Sequence, residues 1–195
     1  MAARGRAILG DVGFKTLTAA YCQSSAYVEQ LAGDPQAAER ELRSGYGILE
    51  QMGEKGYLST VAAELARALY EQGDFAGSER FSRISEELGS TDDLATQVEW
   101  RSSRAKVLAR RGEWDVAVTL AEEAVRLSAE TDYLDLQGDT FRDLAEVYVL
   151  CGRPGEAVSP GREALRCYER KGNMVSATST RDLMSRLASA PQPSS

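Results

Sequence analysis

Apolar and small residues recur along this chain at helical spacing, with polar residues between them. In one segment Gln137, Phe141, Leu144, Ala145 and Tyr148 follow one another at i, i+4, i+7, i+8 and i+11. This spacing places all five on one face of a helix. No segment shows the strict alternation that is typical of a β-strand. The pattern therefore predicts an all-α protein built from amphipathic helices.

Short polar breaks separate these helices at a constant interval. They are Gly33-Asp34-Pro35, Gly73-Asp74-Phe75, Gly112-Glu113-Trp114 and Gly152-Arg153-Pro154, with glycines 40, 39 and 40 residues apart. Small residues stand seven residues before each glycine, and five and twelve residues after it. They are Ala26, Ala66, Ala105, Ala145, Ala38, Ser78, Ala117, Ala157, Gly45, Ser85, Ala124 and Ala164. Because two antiparallel helices need small side chains where they cross closely, the repeating unit is predicted to be a helix–turn–helix.

The helix signals divide the chain into four hairpins and a closing helix. The predicted pairs are residues 14–32 with 35–52, 58–72 with 75–88, 94–111 with 114–129, and 134–151 with 154–171, followed by 174–188. Gly33 is expected to end a helix, Asp34 to cap the next one, and Asp93 and Asp132 to cap two later ones. Residues 1–13 are interpreted as a ragged N-terminal segment, 14–188 as the repeat domain and 189–195 as a disordered tail.

The frame of a glycine followed by two small positions resembles the tetratricopeptide repeat, whose unit of about 34 residues carries an A-x3-F pattern. Longer stretches across residues 20–188 resemble the C-terminal repeat region of large bacterial regulators that join a nucleotide cyclase-like domain to an ATPase module. These stretches are Leu31–Pro35, Ala38–Arg43, Gly56–Thr60, Trp100-Arg101, Leu108–Gly112, Glu123–Val125, Leu144–Val147 and Glu169–Asn173. The resemblance implies a right-handed superhelical solenoid that serves as a protein–protein interaction scaffold in bacterial signalling or transcription regulation.

Composition and charge exclude several classes of function. The 195 residues carry 23 Lys+Arg against 30 Asp+Glu, a net charge of −7, which disfavours binding to nucleic acid as a general mode. The chain has no histidine, so His-based triads, dyads and zinc sites are excluded. No run approaches 18 apolar residues, and we expect no membrane partner. Three cysteines without a CxxC motif favour a reducing, cytoplasmic location and thiols that are buried or inert.

Catalytic chemistry has little support in the residues. Ser103 and Lys106 match the Ser-x-x-Lys pattern of serine acyl-enzymes, but the SDN and KTG elements of those enzymes are missing, as is a GxxxxGK[ST] phosphate loop. We therefore expect no enzyme activity, no catalytic residue, no metal site and no cofactor.

Two further groups of side chains have competing interpretations. Asp135, Asp139 and Asp143 share one helical face, either as a site for a cation or basic peptide or, as we favour, paired with Arg101 and Arg104. Six aromatic residues at helical spacing are interpreted as core or inter-repeat packing rather than a ligand-stacking site. They are Phe75, Phe81, Trp100, Trp114, Phe141 and Tyr148.

In tetratricopeptide arrays the first helix of each unit lines the concave groove, and that resemblance gives the candidate partner site. Counting back from the repeat glycines places five side chains there: Tyr27, Arg67, Tyr70, Lys106 and Arg110. They suit an acidic segment or a C-terminal carboxylate of a protein partner. Two alternatives stay open. One is a repeat domain that senses a small molecule. The other is an intramolecular module detached from a multidomain cyclase/ATPase regulator, which would self-associate through its N-terminal repeat edge.

Overall fold

A computed structural model describes residues 15–189, and the side chains of residues 15–185. Its helices are α1 (Lys15–Leu31), α2 (Pro35–Met52), α3 (Lys55–Glu71), α4 (Phe75–Leu88), α5 (Leu94–Arg110), α6 (Trp114–Ser128), α7 (Leu134–Leu150), α8 (Pro154–Lys171) and α9 (Met174–Ser189). Over residues 15–189 no strand is present, which confirms the all-α class. The predicted N-terminal segment 1–13, and the predicted tail beyond its first residue, lie outside the described residues.

The helices pack on their neighbours along the chain within two compact units, the first ending at Arg104 and the second beginning at Ala105, inside α5. In the first unit α1 packs on α2, α2 on α3, and α3 on α4. In the second unit α6 packs on α7, α7 on α8, and α8 on α9. This succession of helix–turn–helix pairs is the α-solenoid architecture that the repeat predicts.

The small residues of the repeat frame lie where the helices cross, as predicted. All twelve are buried, and the eleven that carry a side chain are at most 2% exposed. At Gly45 on α2 an added Cβ would lie only 3.2 Å from the Cβ of Cys22 on α1. Since ordinary Cβ contacts are longer, a larger side chain at this position would push the two helices apart.

Turn chemistry explains why the hairpins close where they do. Gly33 adopts a φ of +78°, a left-handed conformation that glycine reaches without steric cost. The backbone N–H of Ala37 then donates to Asp34 Oδ1 at 2.8 Å, which confirms the predicted N-cap of α2. Glycines with positive φ end five further helices; they are Gly53, Gly73, Gly112, Gly152 and Gly172.

One predicted helix start and one predicted helix cap are wrong. Helix α3 begins at Lys55 instead of residue 58, because the Glu54 carboxylate accepts hydrogen bonds from the backbone N–H groups of Gly56 and Tyr57. Asp132 does not cap α7, whose N-cap is Tyr133; the Tyr133 N–H donates to Thr131 Oγ1 instead. The third predicted cap is confirmed, since Asp93 accepts from the backbone N–H of Thr96.

Each unit has its own hydrophobic core. Residues Leu42, Leu49, Val61, Leu65 and Phe81 belong to the core of the first unit, which forms between α1, α2, α3 and α4. The second unit has two clusters, one centred on α6 and α7 and one on α8. The second of these contains Tyr168, which is 0% exposed.

The aromatic and cysteine predictions have different outcomes. Trp100 and Phe81 are buried as predicted, but Trp114, at the first position of α6, is 53% exposed. All three cysteines are buried free thiols. Burial raises the pKa of Cys151 and of Cys167 above the ordinary thiol value.

Candidate functional site

In the first unit, polar side chains link the first helices of successive hairpins, α1, α3 and α5. Arg67 on α3 donates from Nη2 to Gln30 Oε1 on α1 at 3.0 Å. Thr60 on α3 and Thr96 on α5 share a hydrogen bond of 2.8 Å between their hydroxyl groups. Because the apolar faces of the same helices enter the core, their polar faces form a connected surface.

Glu64 lies on this surface of α3 and carries an unusual carboxyl group. Its Oε2 atom is buried and has no hydrogen-bond partner among the described residues. Burial raises the pKa of Glu64 to about 8, and the nearby carboxylate of Glu99 on α5 raises it as well, against smaller lowering effects of Arg67 and a hydrogen bond from Gln23. Burial and the neighbouring Glu99 carboxylate thus both favour the protonated form of the Glu64 carboxyl.

In the second unit, a buried ion pair joins the polar faces of the first helices α5 and α7. The Lys106 ammonium on α5 lies 2.9 Å from Asp143 Oδ1 on α7, and the two side chains are only 3% and 6% exposed. Arg142 Nη2 lies 4.0 Å from the same aspartate oxygen. The Lys106 side chain therefore links α5 to α7 through this ion pair.

The other two aspartates of α7 also have specific partners. Asn173 Nδ2 donates to Asp135 Oδ1 at 3.0 Å, and the Tyr168 hydroxyl on α8 donates to Asp139 Oδ1. Burial and the Asp139 carboxylate together raise the pKa of Tyr168.

Arg101 and Arg104, which we favoured as partners of these aspartates, have other contacts. Arg104 Nη1 lies 2.5 Å from Glu86 Oε2, and Arg101 Nη1 donates to Gln97 Oε1 at 2.6 Å. Both guanidinium groups also lie over the Trp100 ring, within 4.6 Å of its centroid. Arg104 thus binds a carboxylate of the preceding helix α4, and Arg101 binds an amide of its own helix, while the pairing with the α7 aspartates stays a prediction.

The five candidate partner residues have different accessibility. Tyr27 is 40% exposed, Arg67 is partly exposed, and the Arg110 side chain is 38% exposed beside Glu146, with 3.4 Å between Nη2 and Oε1. Tyr70 and Lys106 are buried, Tyr70 with its ring 5.4 Å from that of Phe75. A direct contact with a partner is thus possible for three of the five.

The Glu64 and Glu99 carboxyls are not among the side chains predicted from the sequence. Glu64 stands nine residues before Gly73, and Asp143 stands nine residues before Gly152, so both occupy the same position of the repeat frame. In the second unit Lys106 neutralises this position. In the first unit another carboxyl lies beside it. An acidic residue nine positions before the repeat glycine therefore indicates a polar contact between first helices.

The part of the chain that the structure describes contains neither a metal-ligand cluster nor a helix that could cross a membrane. Residues 15–185 contain no group of three or more Cys, Asp or Glu side chains placed to hold a metal ion. Within the described helices none is both long and apolar enough to cross a membrane.

Comparison with known proteins agrees with the repeat architecture. Two family models described as tetratricopeptide repeat match residues 97–170 and residues 60–83. No curated protein matches the chain at a significant level.

Among solved structures, BtubC (BKLC) from P. vanneervenii is similar with a TM-score of 0.60 at 14% identity, covering 100% of this chain and 92% of that one. A putative kinesin light chain from Podosopora anserina with nearly identical TPR-like repeats is similar with a TM-score of 0.51 at 20% identity, covering 89% of this chain and 96% of that one. At such low identity these two likenesses show the fold alone.

The fold and the family models point to the same conclusion. The two matched segments together cover half of the chain, and they fall on the helix–turn–helix pairs described above. Repeats of this kind are generally protein–protein interaction scaffolds, and the fold is typically non-catalytic. This chain belongs to the tetratricopeptide repeat family.

Proposed function

We propose that this protein is a non-enzymatic scaffold of bacterial signalling or transcription regulation, acting in the cytoplasm. It binds a segment of a partner protein on the polar face of its first helices. The observation that carries this proposal is the placement of Tyr27 and Arg67. Both stand six residues before a repeat glycine, so neighbouring first helices present an exposed aromatic and an arginine at the same position. Aromatic and arginine side chains are the residues most enriched in protein interfaces.

An acidic partner segment fits the accessible cations of this face. Arg67 contacts the neutral amide of Gln30, and the contact of Arg110 with Glu146 is long and partly exposed. A carboxylate from a partner would form a shorter, charge-assisted hydrogen bond with the Arg110 guanidinium. Because the exposed Arg110–Glu146 pair contributes little stability, exchanging Glu146 for a partner carboxylate costs the fold little.

Site-specific photo-crosslinking tests this proposal. We expect a photoreactive amino acid in place of Tyr27 on α1 to form one dominant crosslink in cells of the source bacterium. The same amino acid in place of Arg83, whose side chain is 62% exposed on the second helix α4, serves as the matched control in the same unit. Mass spectrometry then identifies the crosslinked protein and its segment. Equal crosslinking from both positions, or from Arg83 alone, would place the partner away from the first helices.

A specific observation also favours the second candidate, an intramolecular module whose isolated form self-associates. On α1, Leu17 is 54% and Val28 is 61% exposed, and their spacing of eleven residues places them on one helical face. Forty residues after Val28 in the repeat frame, Ala68 on α3 is 0% exposed within the core of the first unit. The surface that is covered on α3 is therefore open on α1.

Self-association through this edge predicts a concentration-dependent mass. We expect light scattering to give a rising average mass between micromolar and submillimolar protein, and a Leu17→Glu/Val28→Glu variant to remain at the mass of one chain. A Val116→Glu variant, changed at a 53% exposed position of α6, is the control and should associate like the wild type. A wild-type mass of one chain throughout the range contradicts this candidate.

A further inference from the structure

The polar surface of the first unit contains a cluster with more acidic than basic side chains, which we call the Glu64 cluster. It consists of Gln23 and Gln30 on α1, Glu64 and Arg67 on α3, and Glu99 on α5. Glu64 thus lies near the carboxyl of Glu99 and the guanidinium of Arg67, and Gln23 and Gln30 of α1 add neutral amides. The opposite side of α3 faces apolar residues of α2 and α4 in the core, where no charge is supplied by the core residues.

The contacts inside the cluster leave Oε2 of Glu64 without a hydrogen-bond donor. Arg67 directs Nη2 to the Gln30 amide, and Gln23 forms a hydrogen bond with the Glu64 carboxyl. Glu64 Oε2 is buried and has no hydrogen-bond partner among the described residues. A buried anionic oxygen in this situation would be strongly destabilised by lost solvation and by the neighbouring Glu99 carboxylate. A neutral, protonated carboxyl removes both penalties.

We propose that the Glu64 cluster is a proton-binding switch in which Glu64 and Glu99 share one proton at neutral pH, and that losing this proton loosens the packing of α3 against α5. The charged groups that act on Glu64 are Glu99 from α5 and Arg67 from α3 itself. With the proton bound, the pair carries one negative charge, which Arg67 balances. Without it, the buried Glu64 carboxylate lies beside the like-charged Glu99 carboxylate between the two helices.

The pKa of Glu64 gives the direction and the range of the pH dependence. It rises from an ordinary value of 4.5 to about 8 on folding, mainly through burial and then through Glu99. Between these values the folded chain binds more protons than the unfolded chain, so stability falls as pH rises. The contribution is fully present below about pH 4.5 and is lost once the pH passes about 8.

Thermal unfolding of a Glu64→Gln variant between pH 4.5 and pH 9.5 tests the switch, since glutamine mimics the protonated carboxyl. We expect the variant to melt at the wild-type temperature near pH 4.5 and at least about 3 °C above it at pH 9. Glu71→Gln changes an exposed carboxyl on the same helix and should follow the wild type at every pH. A difference between Glu64→Gln and wild type that is constant with pH, or absent, overturns the proposal.

A spectroscopic measurement separates a shared proton from an isolated buried carboxyl. At pH 7 the infrared difference spectrum of wild type minus Glu64→Gln should contain a protonated-carboxyl band that disappears above about pH 9. In a Glu99→Gln variant the midpoint of this disappearance should shift to lower pH, because the like charge is removed. No band at pH 7 refutes protonation. An unchanged midpoint in Glu99→Gln refutes the coupling. Neither readout depends on a partner protein.

Discussion

Replacing Tyr168 by alanine is expected to lower the free energy of unfolding by about 3–5 kcal/mol. The ring is 0% exposed and fills the space beside the backbone of α7, where a Cβ added at Gly138 would lie 2.7 Å from it. Removing the ring leaves a cavity between α7 and α8 and leaves Asp139 without its hydroxyl donor. Urea unfolding followed by circular dichroism measures the loss, and hydrogen exchange should show it first in α7 and α8.

The matched control for this variant is Tyr168→Phe. It retains the ring and removes only the hydroxyl, whose hydrogen bond to a carboxylate contributes about 1.5–3 kcal/mol. The loss in the phenylalanine variant should therefore be clearly smaller than in the alanine variant. If the two losses are equal, the hydrogen bond to Asp139 and not the packing against Gly138 determines the stability of this helix pair.

A Lys106→Met variant is expected to lose about 3–5 kcal/mol of unfolding free energy. Methionine retains most of the volume, but the Asp143 carboxylate, 6% exposed, loses the ammonium at 2.9 Å. Arg142 lies 4.0 Å away and compensates only in part. The double variant Lys106→Met/Asp143→Leu removes both charges and should recover most of the loss, since apolar pairs often replace buried ion pairs at little cost. Chemical denaturation of the two variants measures both effects.

Arg110→Met is the control for this second prediction. It removes the cation of the Arg110–Glu146 pair, whose side chains are 38% and 32% exposed, and should cost no more than about 1 kcal/mol. Losses of the same size at Lys106 and Arg110 would show that burial does not distinguish the two pairs. A change at Lys106 therefore reports on folding, and partner binding is better tested at Tyr27 or Arg110.

The fold was largely predictable because its determinants are local and periodic. The glycines at Gly33 and Gly73 adopt positive φ and end their helices, and the small residues around them are buried where helices cross. Both features recur at regular intervals along the sequence. The failures at the start of α3 and at Asp132 have a common reason. Glu54 accepts the first backbone N–H groups of α3, and Thr131 accepts the N–H of Tyr133 just before α7; several residue types are able to do so.

The candidate site was less predictable because its side chains pair with residues of another repeat. Lys106 and Asp143 are 37 residues apart in the chain, and helical spacing around Lys106 alone does not indicate that it is buried. Tyr70 is buried by a contact inside its own repeat, since its ring lies against that of Phe75 on the following helix. Periodicity identifies the face of a helix, whereas accessibility depends on which side chain stands opposite.

The polar contacts between first helices also determine which repeats stack beside one another, and the backbone alone does not. By shape alone, one repeat would stack beside any other, since all share the same turn glycine and small positions. The side chains at these contacts differ from one repeat to the next: Gln30 meets Arg67, and Lys106 meets Asp143. A chain with its repeats in another order would form the same helices. Its charged side chains, however, would lie opposite residues that do not match them. The order of the repeats is therefore itself encoded in the sequence.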